Sequence, residues 1–173
     1  FELGLIRNHY VGRTFIEPTQ NIRSLGVKLK LSSTKTIVKD KSIILIDDSL
    51  VRGTTCHKII KMLYEAGANE VHVRIACPQI KFPDFYGVDM PTKEELLAHG
   101  KNINEMTKHI KATSLKFLSL DGLYLALVGE RRNVIYPQFS DHYFTGDYPI
   151  KPSDKLKGLK VKQLSLLSGK SNS

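Results

Sequence analysis

Ser42-Ile43-Ile44-Leu45-Ile46-Asp47-Asp48-Ser49-Leu50-Val51-Arg52-Gly53-Thr54-Thr55 contains the change of pattern that decides the fold. Ser42 to Ile46 is a short, continuous, isoleucine-rich run, as expected of a strand covered on both faces in a parallel sheet. It stops at two adjacent carboxylates. After Gly53-Thr54-Thr55 the residues Ile59, Ile60, Leu63 and Ala66 recur at helical spacing, and Gly67 supplies the left-handed residue that commonly ends a helix. Val71, Val73 and Ile75 then alternate as the next strand. Strand, loop, helix and strand between Ser42 and Ala76 predict a right-handed βαβ unit, whose two strands are parallel because the helix uses up the return path.

Outward from this unit the same class of element repeats. Val27-Lys28-Leu29-Lys30-Leu31 alternates apolar and basic residues, the period of a half-buried strand with its lysines on one side. Thr92-Lys93-Glu94-Glu95 after Pro91 matches a capping box, and Asn102 to Glu105 repeats that logic before a helix with Ile103, Met106 and Ile110 on its apolar face. Leu115 to Leu118 is a further strand, and Asp121 is a candidate cap for a last helix carrying Leu123, Ala126 and Leu127. The predicted class is α/β, a mostly parallel sheet flanked by helices.

The chain has 173 residues, 41% of them hydrophobic and 25% charged, which is a globular composition. Its longest apolar runs are far shorter than the roughly 20 residues that a bilayer requires, so no membrane partner is expected. Cys56 and Cys77 are too few for a disulfide framework or a four-thiolate metal site, and both read as packing residues in a reducing compartment, the cytoplasm. The formal net charge of +9 calls for an anionic partner: nucleic acid, a membrane surface or a phosphorylated metabolite. Residues 1–150 read as one domain. Residues 151–173, lysine-rich with Leu and Ser between, read as a basic and poorly ordered tail. The opening Phe1-Glu2-Leu3-Gly4 reads as the start of a trimmed or partial chain.

In open α/β sheets ligands bind beyond the carboxyl ends of the strands, which directs attention to the loop after Ile46. Asp47 and Asp48 repel one another unless a cation or hydroxyl donors sit against them, and Mg²⁺ or a sugar diol would serve. Gly53 permits a tight turn, Thr54 and Thr55 offer hydroxyls, and the free amides at the start of the helix suit a monophosphate. Acid pair and then phosphate cradle fit the two ends of a ribose 5-phosphate. The glycine-rich patterns of a P-loop or a dinucleotide fold are absent from this loop.

The run Ile44 to Thr55 resembles the phosphoribosyl pyrophosphate (PRPP) motif of type I phosphoribosyltransferases. Further segments are similar to the glutamine PRPP amidotransferase family: Arg7 to Ile16, Pro18-Thr19-Gln20, Val27 to Leu31, Phe85-Tyr86-Gly87-Val88-Asp89-Met90-Pro91, and Asp141-His142-Tyr143-Phe144-Thr145-Gly146-Asp147-Tyr148-Pro149. The resemblance implies the type I phosphoribosyltransferase fold, with its first strand missing here. It implies transfer of ammonia, released from glutamine in the full enzyme, to PRPP, giving 5-phosphoribosylamine, pyrophosphate and glutamate at the first step of purine biosynthesis.

Carried over by residue, the resemblance implies that Asp47 and Asp48 hold the ribose hydroxyls and Mg²⁺. Ser49, Val51, Arg52, Gly53, Thr54 and Thr55 complete PRPP binding, mainly at the 5-phosphate. Arg13, Lys28 and Lys30 fall in the family's flexible loop, which closes over PRPP and touches its pyrophosphate in the catalytic step. Tyr10 and Ile16 fall on its ammonia channel. Pro91 falls in a nucleotide-contact segment, and Arg7 stands close to a purine nucleotide contact where the family usually has lysine. The implied partners are PRPP, ammonia or glutamine, purine nucleotides as feedback inhibitors, and further copies of the chain in a tetramer; nucleic acid is not expected.

Three departures from the family are legible. The amino-terminal cysteine nucleophile and the glutaminase domain are absent from the sequence, as are the first transferase strand and its early Mg²⁺ and pyrophosphate loop. Where some members ligate an iron–sulfur cluster through cysteines, this chain has Asp84 and the cysteine-free stretch Tyr136 to Tyr143, so no cluster is expected. Alternatives remain: a type I transferase acting on a free base, or a non-catalytic regulator that senses PRPP and binds nucleic acid. The six histidines have no spacing suited to a metal, Arg131-Arg132 reads as a solvated pair after a helix, and Cys56 reads as packing.

Overall fold

The structure is a computed structural model and describes residues 35–88 and 92–150. The anticipated strand Val27 to Leu31, the tail, and Arg7, Tyr10, Arg13, Ile16, Lys28, Lys30 and Pro91 lie outside the described residues. The elements run α1 (Lys35–Val38), β1 (Ser42–Asp47), α2 (Thr54–Glu65), β2 (Glu70–Ile75), a 3₁₀ turn (Lys93–Glu95), α3 (Ile103–Ile110), β3 (Ser114–Phe117), α4 (Leu120–Val128) and α5 (His142–Thr145).

The three strands form one parallel sheet in the order β1-β2-β3. Its register places Ile43 opposite Val71, Leu45 opposite Val73 and Leu115 opposite Val73 from the other side, so one pleat face is aliphatic throughout. Cys56, Ile60 and Leu63 of α2 and Met106 and Ile110 of α3 join that face in a single core cluster with Leu50, Leu97 and Ala98. Ile60, Val71, Val73, Met106 and Ile110 have no accessible surface. Each such side chain contributes roughly 1.5–3 kcal/mol relative to exposure. These contacts fix the position of α2, and with it the loop that precedes it.

Local sequence explains the element ends. The chain leaves α2 through Gly67 at φ 101°, where Ala68 N donates to Leu63 O and Gly67 N to Tyr64 O. The capping box at α3 is complete: Asn102 Oδ1 accepts from Glu105 N, and Glu105 Oε2 accepts from Asn102 N.

Several sequence expectations are corrected. Ile44 and Ile46 are 64% and 67% exposed, so the described residues cover one face of β1 only. On that open face β2 carries His72 and Arg74, whose side chains meet Ser114 Oγ of β3 at 2.8 and 3.0 Å. Thr92 makes no side-chain capping bond, and only a 3₁₀ turn follows it. The helix after β3 is capped by Ser119, whose Oγ accepts from Gly122 N, which leaves Asp121 in the first turn. Its buried residue is Tyr124; Leu127 is exposed. Arg132 is not solvated: it lies against buried Asp141 with its side chain 11% exposed.

Candidate functional site

The loop between β1 and α2 is held at both ends by backbone bonds. Ala76 N donates to Asp47 O at 2.9 Å, and Leu97 N to Val51 O at 2.8 Å. Leu50, 3% exposed, anchors the middle of the loop in the core. Asp47 and Asp48 therefore stand at a fixed strand end at the carboxyl edge of the sheet. Asp48 N donates to Asp47 Oδ1, and Ser49 Oγ donates to Asp48 Oδ1 at 2.8 Å. Burial raises the Asp47 carboxyl above its ordinary pKa; the amide of Asp48 opposes this, and the negative charge of Asp48 adds to it. Among the described residues the carboxylate pair is thus short of positive charge.

Gly53 begins α2 at φ 78°, in the left-handed region, and its backbone is packed tightly. A Cβ there would lie 2.8 Å from Leu97 Cδ2 and 3.3 Å from Ile110 Cγ2. No side chain caps the first turn, so its amides face outward beside the exposed Thr54 and Thr55. This is a helix amino terminus with the macrodipole's positive end uncapped, a few residues from an acid pair. A ligand carrying a phosphate at one end and vicinal hydroxyls at the other matches both.

Among the described site residues, the structure places Asp47 at the end of β1, Asp48, Ser49, Val51, Arg52 and Gly53 on the loop that follows, and Thr54 and Thr55 in the first turn of α2. Arg52 is turned to Glu95, with Nε 2.8 Å from Oε2, and both side chains are about half exposed. That partner was missed in the sequence because 43 positions separate the two. Cys56 is 2% exposed, and burial with the charge of Asp47 pushes its thiol up to about 11. It packs as anticipated. Burial likewise raises the Cys77 thiol.

For a metal, the donor set at the loop is hard carboxylate oxygen, which suits Mg²⁺; that ion is commonly held by one or two carboxylates together with substrate phosphates. Among the described residues no three His, Cys, Asp or Glu side chains are grouped to hold a metal ion by themselves. The residues fit a cation that arrives with its substrate.

A second polar centre, unforeseen in the sequence, lies in the carboxyl-terminal part. His142 Nε2 meets Asp84 Oδ1 at 2.8 Å and its Nδ1 meets Ser140 Oγ at 3.0 Å. Asp84 Oδ2 also accepts from the amides of Tyr86 and Val88. Asp141, 4% exposed, accepts from Tyr124 OH, Thr145 Oγ1 and Arg132. These bonds tie the Pro83–Val88 loop and α4 to the segment around α5.

No family model matches the chain. It is 56% identical over 169 residues to the amidophosphoribosyltransferase of Rhizobium etli, covering 97% of this chain and 34% of that protein. The amidophosphoribosyltransferase of Staphylococcus epidermidis is 49% identical over 160 residues, covering 92% and 32%. Among solved structures, the B. subtilis glutamine PRPP amidotransferase complexed with ADP and GMP superposes with a TM-score of 0.74 at 45% identity, over 88% of this chain and 34% of that one. The chain spans about one third of the length of the relatives it matches. With half of its residues identical over nearly all its length, and with the parallel sheet shared, the chain belongs to the amidophosphoribosyltransferase family and corresponds to the C-terminal portion of its members.

Proposed function

We propose that this chain is the PRPP-binding, phosphoribosyl-transferring part of an amidophosphoribosyltransferase. The reaction breaks the bond from C1 of PRPP to its pyrophosphate and joins that carbon to the nitrogen of ammonia, giving 5-phosphoribosylamine. In the whole enzyme the ammonia comes from glutamine, which leaves as glutamate. The reading places the reaction in the cytoplasm, at the start of purine nucleotide synthesis. The single observation that carries it is the loop from Asp47 to Thr55, with an acid pair at a strand end and an uncapped helix start on the same rigid turn.

In this reading the amides and hydroxyls at Thr54 and Thr55 hold the 5-phosphate, with Ser49, Val51, Arg52 and Gly53 shaping the cradle. Asp47 and Asp48 bind the ribose hydroxyls and are the residues that would hold Mg²⁺. The ion, when bound, offsets charge on the departing pyrophosphate. Fixing both ends of the sugar orients C1 toward its nucleophile, and orientation alone can supply several kcal/mol of a barrier. Arg13, Lys28 and Lys30 are assigned to the loop that closes on pyrophosphate and excludes water from the oxocarbenium-like centre. Tyr10 and Ile16 are assigned to the ammonia path, Arg7 and Pro91 to purine nucleotide contact, and the assembly to a tetramer. The domain occupies residues 1–150, followed by the basic tail.

The test is pyrophosphate release by the purified chain from Mg²⁺-PRPP. Release that rises with ammonia supports the proposal. Release that requires a free purine or pyrimidine base, or binding without turnover, contradicts it.

A further inference from the structure

Two cavities of about 560 and 510 Å³ open side by side beyond the carboxyl ends of β2 and β3 and share Gln79, Lys81 and Ile103. Together they form one groove. No residue of the loop from Asp47 to Thr55 lines either cavity. The groove is cationic: Lys81 lines both parts, Lys93 and Lys101 the first and Lys116 the second, and among the described residues neither part is lined by an acidic one. None of these four lysines forms an ion pair among the described residues. All four are exposed and rim a concavity, which focuses their field.

The floor beneath them is fixed. Lys81 N and Phe82 N both donate to Tyr143 O, at 2.9 and 3.2 Å, which ties this stretch to α5. The Lys93 ammonium stands 5.8 Å from the centre of the Phe82 ring. At the other end Phe117 and Phe144 give an apolar wall. Four unpaired ammonium groups over an apolar, backbone-pinned floor suit an extended ligand with several negative charges, too long for one point contact.

We infer that this groove is a second anion site of the protein, separate from the Asp47–Asp48 loop, which takes a phosphate chain of a small molecule. The inference does not depend on the proposed activity. Its charge-assisted contacts come from Lys81, Lys93, Lys101 and Lys116, and none of them requires a divalent cation.

Calorimetric titration of the full chain with inorganic tripolyphosphate, in the absence of Mg²⁺, tests it. The parent and an Asp47→Asn/Asp48→Asn variant should bind equally, whereas Lys81→Gln with Lys101→Gln should bind about tenfold more weakly, each tenfold being 1.4 kcal/mol. All four side chains are exposed, so folding is expected to be retained, and the circular dichroism of each variant checks this. Lys93→Gln with Lys116→Gln gives an independent pair with the same expected direction. Binding that both lysine pairs leave unchanged overturns the inference. Binding that tightens in the aspartate variant overturns it too, because relief of carboxylate repulsion would then place the anion at the other loop. So does tighter binding of a single-stranded oligonucleotide than of tripolyphosphate at equal salt, which would make the face a nucleic-acid surface.

Discussion

Asp84 and His142, 58 positions apart, meet through Oδ1 and Nε2 at 2.8 Å with side chains 1% and 3% exposed. Burial pushes the Asp84 carboxyl up, but the bonds it receives from Val88 N, His142, Tyr86 N and Tyr143 together outweigh it and hold the pKa down at about 2, against 3.8 ordinarily. A carboxyl held below its unfolded value stabilises the fold fully above that value, and the contribution is lost as pH falls toward the folded one. Acid titration of folding should therefore show a loss of stability between 3.8 and about 2 that is shallower in Asp84→Asn than in the parent. At neutral pH the same variant should melt earlier. Parallel acid curves would remove Asp84 from this role.

The Asp141–Arg132 pair gives a second expectation. Asp141 is 4% exposed and accepts from Arg132, Tyr124 and Thr145, while Arg132 also reaches Asp147 Oδ2 at 2.8 Å. Asp141→Ala leaves a guanidinium buried with one exposed partner, and should cost about 3 kcal/mol in urea unfolding. Replacing both, Asp141→Leu with Arg132→Met, should recover part of that loss.

Gly53→Ala tests the proposed phosphate cradle through its backbone. The left-handed conformation at φ 78° costs a side-chain-bearing residue roughly 1–2 kcal/mol, and the new methyl would stand 2.8 Å from Leu97 Cδ2. Stability should fall by about that amount, and PRPP affinity should fall with it as the turn shifts. A variant with unchanged melting would contradict the tight packing at this turn.

Glu95→Gln separates ornament from function in the loop. The Arg52–Glu95 pair is about half exposed on both sides, so its loss should change stability by less than about 1 kcal/mol. Thermal unfolding checks this, and a large drop would mean that the pair props up the loop.

Local sequence carried much of the fold. The strand from Ser42, the helix from Thr54, the alternation Val71-Val73-Ile75 and the Asn102–Glu105 capping box all depend on neighbours within a few residues, and all are present. Failures came where the deciding partner is distant. Ile44 and Ile46 looked like residues covered on both faces, yet burial depends on what lies over the sheet, which composition does not state. Arg132 read as solvated because its partner Asp141 is brought to it by the turn between them. Asp84 and His142 belong to segments that meet only in the folded chain, and no spacing rule links them. The acid pair and the Gly-Thr-Thr turn are legible as a candidate site because both sit on one continuous stretch of chain; Glu95, 43 positions from Arg52, is not.

Mg²⁺-PRPP binding to the chain, measured by calorimetry beside Asp47→Asn and Asp48→Asn, tests the reading of that loop most directly. With Asp47 already raised above its ordinary pKa by burial, removing one charge of the pair should leave the ligand-free protein as stable as the parent or more so, and should weaken binding strongly. Equal affinity in parent and variants, with folding intact, would take the Asp47–Thr55 loop out of the site.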